Sequence, residues 1–270
     1  MIFKRLTEYW NSDECGAYPT DAATVAKVVA FYSKALANSI TDVLFRKEAD
    51  HYLRVSAMGK PLILLCLAKI GYREPDNISF KLRWIFMVGH VFEAFVMCVI
   101  FLLKYDIHSA QDEIDFGGVK GHIDFMVDET VVEVKTMSDR YFTDFCRKQN
   151  DDRGYLTQLH IYCHAKGTKR GVFLVINKAT NELRELPLIW DDRYITRARL
   201  VVDHYNACDN IDYIIDNLNA PECVPEKKGM TMTGNFLIPP SMRYSYFRDA
   251  FYHWNGQTAT YIPHWYRSFE

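Results

Sequence analysis

The fold is decided by the stretch Val119-Lys-Gly-His-Ile-Asp-Phe-Met-Val-Asp-Glu-Thr-Val-Val-Glu-Val-Lys-Thr-Met137. Large apolar side chains recur at every second position in each half of it, and a short polar segment, residues 128–130, separates the halves. A period of two is typical of half-buried β-strands, and a short polar segment between two such runs is typical of a tight turn. The stretch therefore predicts two antiparallel strands, residues 119–127 and 131–137.

A two-residue turn at Glu129-Thr130 predicts how these strands pair. The predicted opposed pairs are Val127 with Val132, Phe125 with Val134, Met126 with Glu133, and Asp124 with Lys135. In this register the valines share one face, and Asp124, Glu133 and Lys135 share the other. A slip of one residue would split the polar set and expose the valines. The hydrophobic pattern therefore predicts that the three polar side chains gather near one end of the strand pair.

A third acidic residue lies inside an apolar segment upstream. Residues 84–103 are mostly apolar and long enough to span a bilayer, but they contain Glu93 near their centre. A carboxylate at the centre of a membrane helix costs roughly 2.5–3.5 kcal/mol. We therefore expect a core helix whose Glu93 needs a partner such as a metal ion, and we keep a membrane protein as a remote alternative. His90 is expected to be hydrogen-bonded within the same core.

These acidic residues suggest a metal centre. Glu93, Asp124 and Glu133 offer the hard oxygen ligands that Mg²⁺ and Mn²⁺ prefer, and the backbone carbonyl of Val134 is a fourth candidate ligand. A metal here would neutralise phosphate oxygens and activate water, and Lys135 is expected to position that water. The pattern therefore favours a metal-dependent phosphodiesterase. The alternative is a solvated strand face with an ordinary Asp/Lys pair.

Four short motifs resemble those of the PD-(D/E)XK nuclease superfamily and its RecB-type branch. They are Gly89-x-x-x-Glu93, Gly121-x-x-Asp124, Glu133-x-Lys135 and Gln158-x-x-x-Tyr162. The resemblance covers about residues 82–187. Many RecB-type members have histidine where this chain has Glu93, and glutamate there is closer to the phage recombination exonucleases.

The resemblance implies an α/β fold with a restriction-endonuclease-like core, in which helices flank a central mixed β-sheet, and a helical N-terminal region precedes it. It also implies metal-dependent DNA cleavage by the residues described above. The expected function is a DNA exonuclease in recombination, repair or degradation, with a single-strand annealing or replication protein as a further partner. A structure-specific or nicking endonuclease of the same fold and a non-catalytic nucleic-acid-binding module are the alternatives.

Several residues are candidates for DNA contact. They are His122, Arg140, Arg147 and Lys148, together with Gln158 and Tyr162. The resemblance implies that Gln158 and Tyr162 line the active site or contact nucleic acid, and the alternative is a core tyrosine with an incidental glutamine. Arg153 belongs to the same basic cluster as Arg140, Arg147 and Lys148. Three further basic clusters follow it: Lys166, Lys169 and Arg170; Arg193, Arg197 and Arg199; and Lys227, Lys228, Arg243 and Arg248. Phosphate binding is mainly electrostatic, and the aromatic residues Tyr141, Phe142 and Phe145 could stack on bases. Each basic cluster could also be a solvated face.

Composition limits the remaining possibilities. The 270 residues are 49% hydrophobic and 24% charged, with a formal charge of −2, so a nucleic-acid surface must be local. Seven cysteines without a CxxC pair argue for a reducing compartment rather than a disulfide framework. Three clustered late cysteines are absent, so no iron–sulfur cluster is expected. The first ten residues lack the apolar core of a signal peptide, and we expect a cytoplasmic protein, in the host cytoplasm if it is phage-encoded.

Further elements and boundaries follow from periodicity and breaker residues. Helices are predicted at residues 21–40, 61–70, 82–105, 151–165 and 190–218, the last with a break near 209–210, and strands at 170–177 and 182–188. The predicted organisation is a helical N-terminal region (1–80), a nuclease core (81–220) and a C-terminal extension packed on the core (221–270).

Overall fold

Groups of helices and groups of strands follow one another along the described part of the chain, which in the computed structural model comprises residues 3–12, 22–45, 53–71, 80–149, 153–218, 224–228 and 231–237. The helices are α1 (Lys4–Asn11), α2 (Ala22–Phe45), α3 (Leu62–Lys69), α4 (Phe80–Leu102), α5 (Asp139–Lys148), α6 (Tyr155–Ala165), α7 (Asp192–Ala207) and α8 (Ile211–Asn217). The strands are β1 (Ile107–His108), β2 (Glu113–Phe116), β3 (Val119–His122), β4 (Phe125–Val127), β5 (Thr130–Met137), β6 (Gly171–Asn177), β7 (Leu183–Pro187), β8 (Val224–Lys228) and β9 (Thr231–Leu237).

A five-stranded mixed sheet forms the centre of the fold, in the order β1-β4-β5-β6-β7. Strands β5 and β6 are parallel, and the other neighbours are antiparallel. Parallel neighbours need a long crossover, which α5 and α6 supply here. Every residue of β6 is buried, as expected for a strand covered on both faces. The predicted α/β class with helices around a central mixed sheet is confirmed, and the sheet is consistent with a restriction-endonuclease-like core.

Helices cover both faces of this sheet. Val132 and Val134 pack in the apolar cluster on the α4 face, whereas Val131 packs in the cluster that contains residues of α6. Side chains alternate along a strand, so Glu133 and Lys135 point toward the α6 face. The predicted separation of these valines from the polar pair is confirmed.

The first of the two predicted strands is broken. Its first half is β3, which pairs with β2 in a separate hairpin, and its second half is β4, which pairs with β5. Ile123 and Asp124 lie between the halves and belong to neither strand. The alternation of apolar residues continues through residues 119–127, so it predicts one continuous strand. It does not show that the first half pairs with β2 and the second half with β5. Ile123, which is predicted to share the face of Phe125, packs instead on the α6 face because the break ends the alternation.

The turn between β4 and β5 begins at Asp128, one residue earlier than predicted. Phe125 therefore lies opposite Val132, two residues away from the predicted register. A shift of two residues changes the pairing but leaves each side chain on its face. The polar residues therefore stay grouped, but the predicted pairing of Asp124 with Lys135 across the strands is wrong.

Residues 53–71 belong to the same core as the sheet. Leu53 and Val55 are buried with residues of β3 and α6. Gly59 and Gly154 lie backbone against backbone, and a Cβ on Gly59 would lie 2.0 Å from the Cα of Gly154. This contact fixes the position at which α6 begins.

Helix α1 covers the outer edge of the sheet. The Phe3 N–H donates to the carboxylate of Glu185 at 3.0 Å. The side-chain amide of Asn11 exchanges two hydrogen bonds with the backbone of Leu183 in β7, at 2.9 and 3.0 Å. Edge strands otherwise present unpaired backbone groups, so α1 closes this edge.

The remaining predicted elements are confirmed with shifts at their ends. The five predicted helices correspond to α2, α3, α4, α6 and the divided pair α7 and α8, and the two later strands correspond to β6 and β7. The periodicity does not predict α1, α5, β1, β2, β8 or β9. The predicted domain boundaries stay a prediction, and Arg243 and Arg248 of the extension lie outside the described residues.

Within the described ranges, no helix combines the length and the apolar character that crossing a bilayer would require. The apolar helix α4 packs instead against α2 and the central sheet.

Candidate active site

The break between β3 and β4 brings Asp124 to the side of β5. Strand β4 pairs with β5 only as far as Val132, and no described strand continues the pairing on that side. Asp124 Oδ2 accepts a hydrogen bond from the Val134 N–H at 2.7 Å and takes the place of the missing strand. The N–H and C=O of one strand residue point to the same edge, so the Val134 carbonyl faces the side of Asp124. Its role as a metal ligand stays a prediction.

Glu133 and Lys135 form a buried ion pair beneath α6. Glu133 is 1% exposed, and the side chain of Lys135 is 18% exposed. The Lys135 ammonium donates to Oε1 of Glu133 and, at 3.3 Å, to Oε1 of Gln158. It also lies over the ring of Tyr155, 4.9 Å from the centroid. This burial excludes the solvated strand face that the sequence leaves open.

Glu93 reaches the site from α4, on the other side of the sheet. Its side chain is 13% exposed, and Oε2 lies 3.6 Å from Nδ1 of His90. Its Oε1 accepts a hydrogen bond from the side-chain amide of Gln111. The Gln111 N–H in turn donates to the carbonyl of Asp124 at 3.1 Å. His90 is exposed, so the expectation that it lies in the core is wrong, because it faces outward from α4.

The charged groups of the site shift one another's pKa values. Burial raises the pKa of Asp124 well above its ordinary value, and the charges of Glu133 and Glu93 raise it further. Burial also raises the pKa of Glu133, although the Lys135 ammonium opposes this change. Burial works to lower the pKa of Lys135, but Glu133 and Asp124 together raise it above its ordinary value. Three carboxylates and one ammonium therefore act as a single electrostatic group.

One oxygen of this group has no hydrogen-bond partner. Oε2 of Glu133 is buried and accepts no hydrogen bond, and an unpaired buried polar group costs about 1–3 kcal/mol. No three His, Cys, Asp or Glu side chains in the described ranges are already arranged to hold a metal ion. The donor set of Glu93, Asp124 and Glu133 nevertheless fits a hard divalent cation, because all three offer carboxylate oxygens and only one ammonium opposes their charge.

Gln158 and Tyr162 lie on the face of α6 that packs against Glu133 and Lys135. They are 6% and 2% exposed, and Gln158 Nε2 donates to the Tyr162 hydroxyl at 2.9 Å. The hydroxyl is also hydrogen-bonded to the backbone of His122. A Cβ on Gly121 would come within 2.9 Å of the Tyr162 ring, which explains the glycine of that motif. Gln158 and Tyr162 are thus buried beside the ion pair, where Gln158 accepts a hydrogen bond from Lys135, and their contact with nucleic acid stays a prediction.

The four other predicted DNA contacts lie at the surface. They are His122, Arg140, Arg147 and Lys148. His122 lies 3.9 Å from Glu113 on the neighbouring strand, and Asp144 pairs with Arg147 at 3.0 Å and with Lys148 at 3.5 Å. In the later clusters, acidic partners are found for Lys166, Lys169, Arg170 and Arg193. Contact with DNA by the four surface residues stays a prediction.

The aromatic residues of α5 divide into buried and accessible groups. Phe142 and Phe145 are buried in the core, so the prediction that they stack on bases is wrong. The Arg153 guanidinium lies over the ring of Tyr141 at 4.1 Å, and Tyr141 contacts Tyr155 edge to face at 6.4 Å. A row of aromatic and cationic groups thus leads from Arg153 to Tyr155, whose ring covers the ammonium of the site.

The motifs in the sequence do not include two residues that contact the site, Gln111 and Tyr155. Tyr155 precedes Gln158 by three positions, so helical spacing puts both on one face and could have identified it. Gln111 lies in a turn between β1 and β2, where no periodic pattern indicates a role.

Comparison with known proteins gives only distant likenesses. No protein-family model and no curated protein sequence matches the chain. The solved structure of SSO0001 is 16% identical in sequence to this chain and has a TM-score of 0.43. The match covers 66% of this chain and 86% of the SSO0001 chain. The alkaline exonuclease LHK-Exo from Laribacter hongkongensis is 13% identical, with 70% of this chain and 93% of its own covered and a TM-score of 0.41. Its complex with dAMP gives 14% identity and a TM-score of 0.39. Likenesses this distant carry no argument about what this chain does, and the superfamily stays a resemblance of motifs.

Proposed function

We propose that this chain is a Mg²⁺- or Mn²⁺-dependent DNA exonuclease that hydrolyses phosphodiester bonds. The observation that carries the proposal is the buried pair of Glu133 and Lys135, which lies within electrostatic reach of Asp124 and Glu93. Glu93, Asp124 and Glu133 would hold the cation, with the Val134 carbonyl as a further ligand. The unpaired oxygen of Glu133 would then gain the partner it lacks.

The cation, when bound, would supply charge to the phosphate oxygens and lower the pKa of the attacking water. Lys135 would hold that water. An ammonium has three N–H donors, and Glu133 and Gln158 accept from two of them, so one remains for a water or a phosphate oxygen. Glu133 and Asp124 raise the pKa of Lys135, and the role proposed for its ammonium is to donate a hydrogen bond.

In the proposed reaction, the water oxygen bonds to phosphorus and loses a proton to solvent. The bond from phosphorus to the deoxyribose oxygen breaks, and that oxygen takes up a proton from solvent. The choice of an exonuclease over an endonuclease, and a setting in cytoplasmic DNA recombination, repair or degradation, rest on the resemblance of the Glu93 motif.

Digestion of linear, nicked and closed circular DNA tests the proposed activity. We expect linear DNA to be degraded with Mg²⁺ or Mn²⁺ and to survive in EDTA, while closed circles stay intact. Cutting of closed circles would replace the exonuclease by an endonuclease. Binding of DNA without cleavage in either metal would support a non-catalytic module and overturn the proposal.

The variant Lys135→Ala tests the assigned site. Loss of the donor should slow degradation of linear DNA by about a hundredfold or more. Lys4→Ala is the matched control, because it removes an equal charge from an exposed lysine that pairs with Glu8 on α1, and we expect it to keep full activity. A fully active Lys135→Ala protein would show that this lysine has no part in the reaction.

A further inference from the structure

Gln111 contacts two of the candidate ligands at once. Its side-chain amide donates to Oε1 of Glu93, and its backbone N–H donates to the carbonyl of Asp124 at 3.1 Å. Glu93 lies on α4, and Asp124 lies in the break between β3 and β4. Gln111 is thus a direct link between α4, which carries Glu93, and the segment that carries Asp124.

The turn that carries Gln111 is held in a fixed conformation. The Ile123 N–H donates to the carbonyl of Asp112 at 3.2 Å, and the carboxylate of Asp112 pairs with Lys166 at 2.8 Å. Gln111 itself has a φ of +58°, in the left-handed region that non-glycine residues rarely adopt. Residues held in this region often lie at functional sites, where the surrounding structure maintains the strain.

The negative charges near Glu93 explain why its side chain needs to be held in place. Glu93 raises the pKa of both Asp124 and Glu133, so without a cation the three carboxylates repel one another. A glutamate side chain has several rotatable bonds and would turn away from such repulsion. The amide of Gln111 opposes this movement because it holds Oε1 of Glu93, while Oε2 lies on the side of His90, 3.6 Å from its Nδ1.

We propose that Gln111 is a positioning residue for the divalent cation: it holds Glu93 in the orientation needed to bind an ion together with Asp124 and Glu133. This inference rests on the proposed function, because it requires a cation at that place. Partners of this kind, which hold a metal ligand without touching the metal, commonly contribute tenfold or more to metal affinity.

Binding of Mn²⁺ alone, without DNA, tests the inference. Free Mn²⁺ can be measured by electron paramagnetic resonance in titrations of the full chain near neutral pH. We expect Gln111→Gly and Gln111→Asn to bind Mn²⁺ about tenfold more weakly than the wild type. Glycine and asparagine both tolerate a left-handed backbone, so the melting temperatures should stay close to that of the wild type. The asparagine amide is one methylene too short to reach Glu93.

Ser109→Gly is the matched control. Ser109 has a φ of +52° in the same turn, and its side chain is hydrogen-bonded to Asp112 rather than to Glu93. We expect this variant to bind Mn²⁺ as the wild type does.

The possible results separate the inference from the proposed function. Wild-type affinity in both Gln111 variants, or an equal loss in Ser109→Gly, would overturn the inference and leave the proposed function standing. A large fall in melting temperature together with weaker binding would assign Gln111 a structural role instead. Absence of Mn²⁺ binding by the wild type would overturn both.

Discussion

Glu133 sets the energetic character of the site. Burying a carboxylate costs several kcal/mol of lost hydration, and Lys135 compensates it through one oxygen only. Apolar side chains of similar size would often make a more stable strand at such positions. A buried carboxylate–lysine pair of this kind is typical of functional sites, where burial and neighbouring charges shift the pKa values of carboxylates and lysines.

Tyr155 is a residue whose contribution can be measured directly. Its ring lies 4.9 Å from the Lys135 ammonium, and a cation–π contact contributes about 0.5–2 kcal/mol. Tyr155→Leu should therefore lower kcat on linear DNA by roughly threefold to thirtyfold with little change in KM, because the ammonium is less well fixed. Tyr155→Phe keeps the ring and should keep kcat.

Steady-state kinetics on one linear DNA substrate separate these effects. If Tyr155→Phe loses as much activity as Tyr155→Leu, the hydroxyl rather than the ring matters, and the cation–π role is wrong. If neither variant changes kcat, Glu133 and Gln158 alone fix the lysine.

The residues of the site differ in how far the sequence predicts them. Glu133 and Lys135 are predictable because parity along β5 puts them on one face regardless of a two-residue shift in the turn. Parity also assigns Asp124 to the same group, but it reaches the site from the break between β3 and β4. Glu93 is predictable because a carboxylate in an apolar helix needs a partner. Gln111 is not, since its contacts depend on a left-handed turn that has no periodic signature.

At the scale of elements, the break between β3 and β4 explains the largest error in the predicted fold. Both halves keep the alternation of a single strand, so the pattern alone cannot reveal that β3 pairs with β2. The break has a consequence for the site, because Asp124 is released from the strand and its carboxylate caps the Val134 N–H.

Helix α5 was predictable in principle. Phe142 and Phe145 are three positions apart and share a buried face, whereas the charged residues of α5 face outward. The same spacing that indicates an amphipathic helix excludes these phenylalanines from a DNA surface. Their placement among basic residues favoured the wrong interpretation.

Substitution of two glycines by alanine should change the free energy of unfolding in opposite directions. Gly89 lies in α4, and a Cβ there would meet nothing within 4 Å, so Gly89→Ala should stabilise the protein by about 0.5–1 kcal/mol through helix propensity. A Cβ on Gly59 would collide with the backbone at Gly154, so Gly59→Ala should destabilise it by about 3 kcal/mol or more. Thermal unfolding of the two variants makes the comparison, and a lower melting temperature for Gly89→Ala would show that the space beside α4 is filled.

At the scale of the whole molecule, the site depends on layers that are distant in sequence. Glu93 comes from α4 on one face of the sheet, and Gln158 comes from α6 on the other. Residues 53–59 fix α6 through the contact of Gly59 with Gly154 and pack Val55 against β3. Residues 53–59 therefore contribute to the shape of the site, whereas its proposed chemistry comes from residues of α4, β5, α6 and the segment around Asp124.

Stability of the whole chain should depend on both metal and pH. The pKa of Asp124 is raised in the folded protein above its ordinary value of 3.8, so the folded state binds more protons than the unfolded state, and without metal its stability falls as pH rises through and above that value. Mn²⁺ competes with these protons, so its stabilising effect should grow as the pH rises from acid toward neutral. At free Mn²⁺ about 100 times its Kd the gain in the free energy of unfolding is about 2.7 kcal/mol, or roughly 5–10 °C in Tm for a chain of this size.

The variant Asp124→Asn should remove the Mn²⁺ effect. In EDTA near neutral pH it should melt above the wild type, because the asparagine side chain can still accept a hydrogen bond from the Val134 N–H but carries no charge. Thermal unfolding with Mn²⁺ and with EDTA at several pH values measures both, and an Mn²⁺ effect that is independent of pH or persists in Asp124→Asn would place the ion elsewhere.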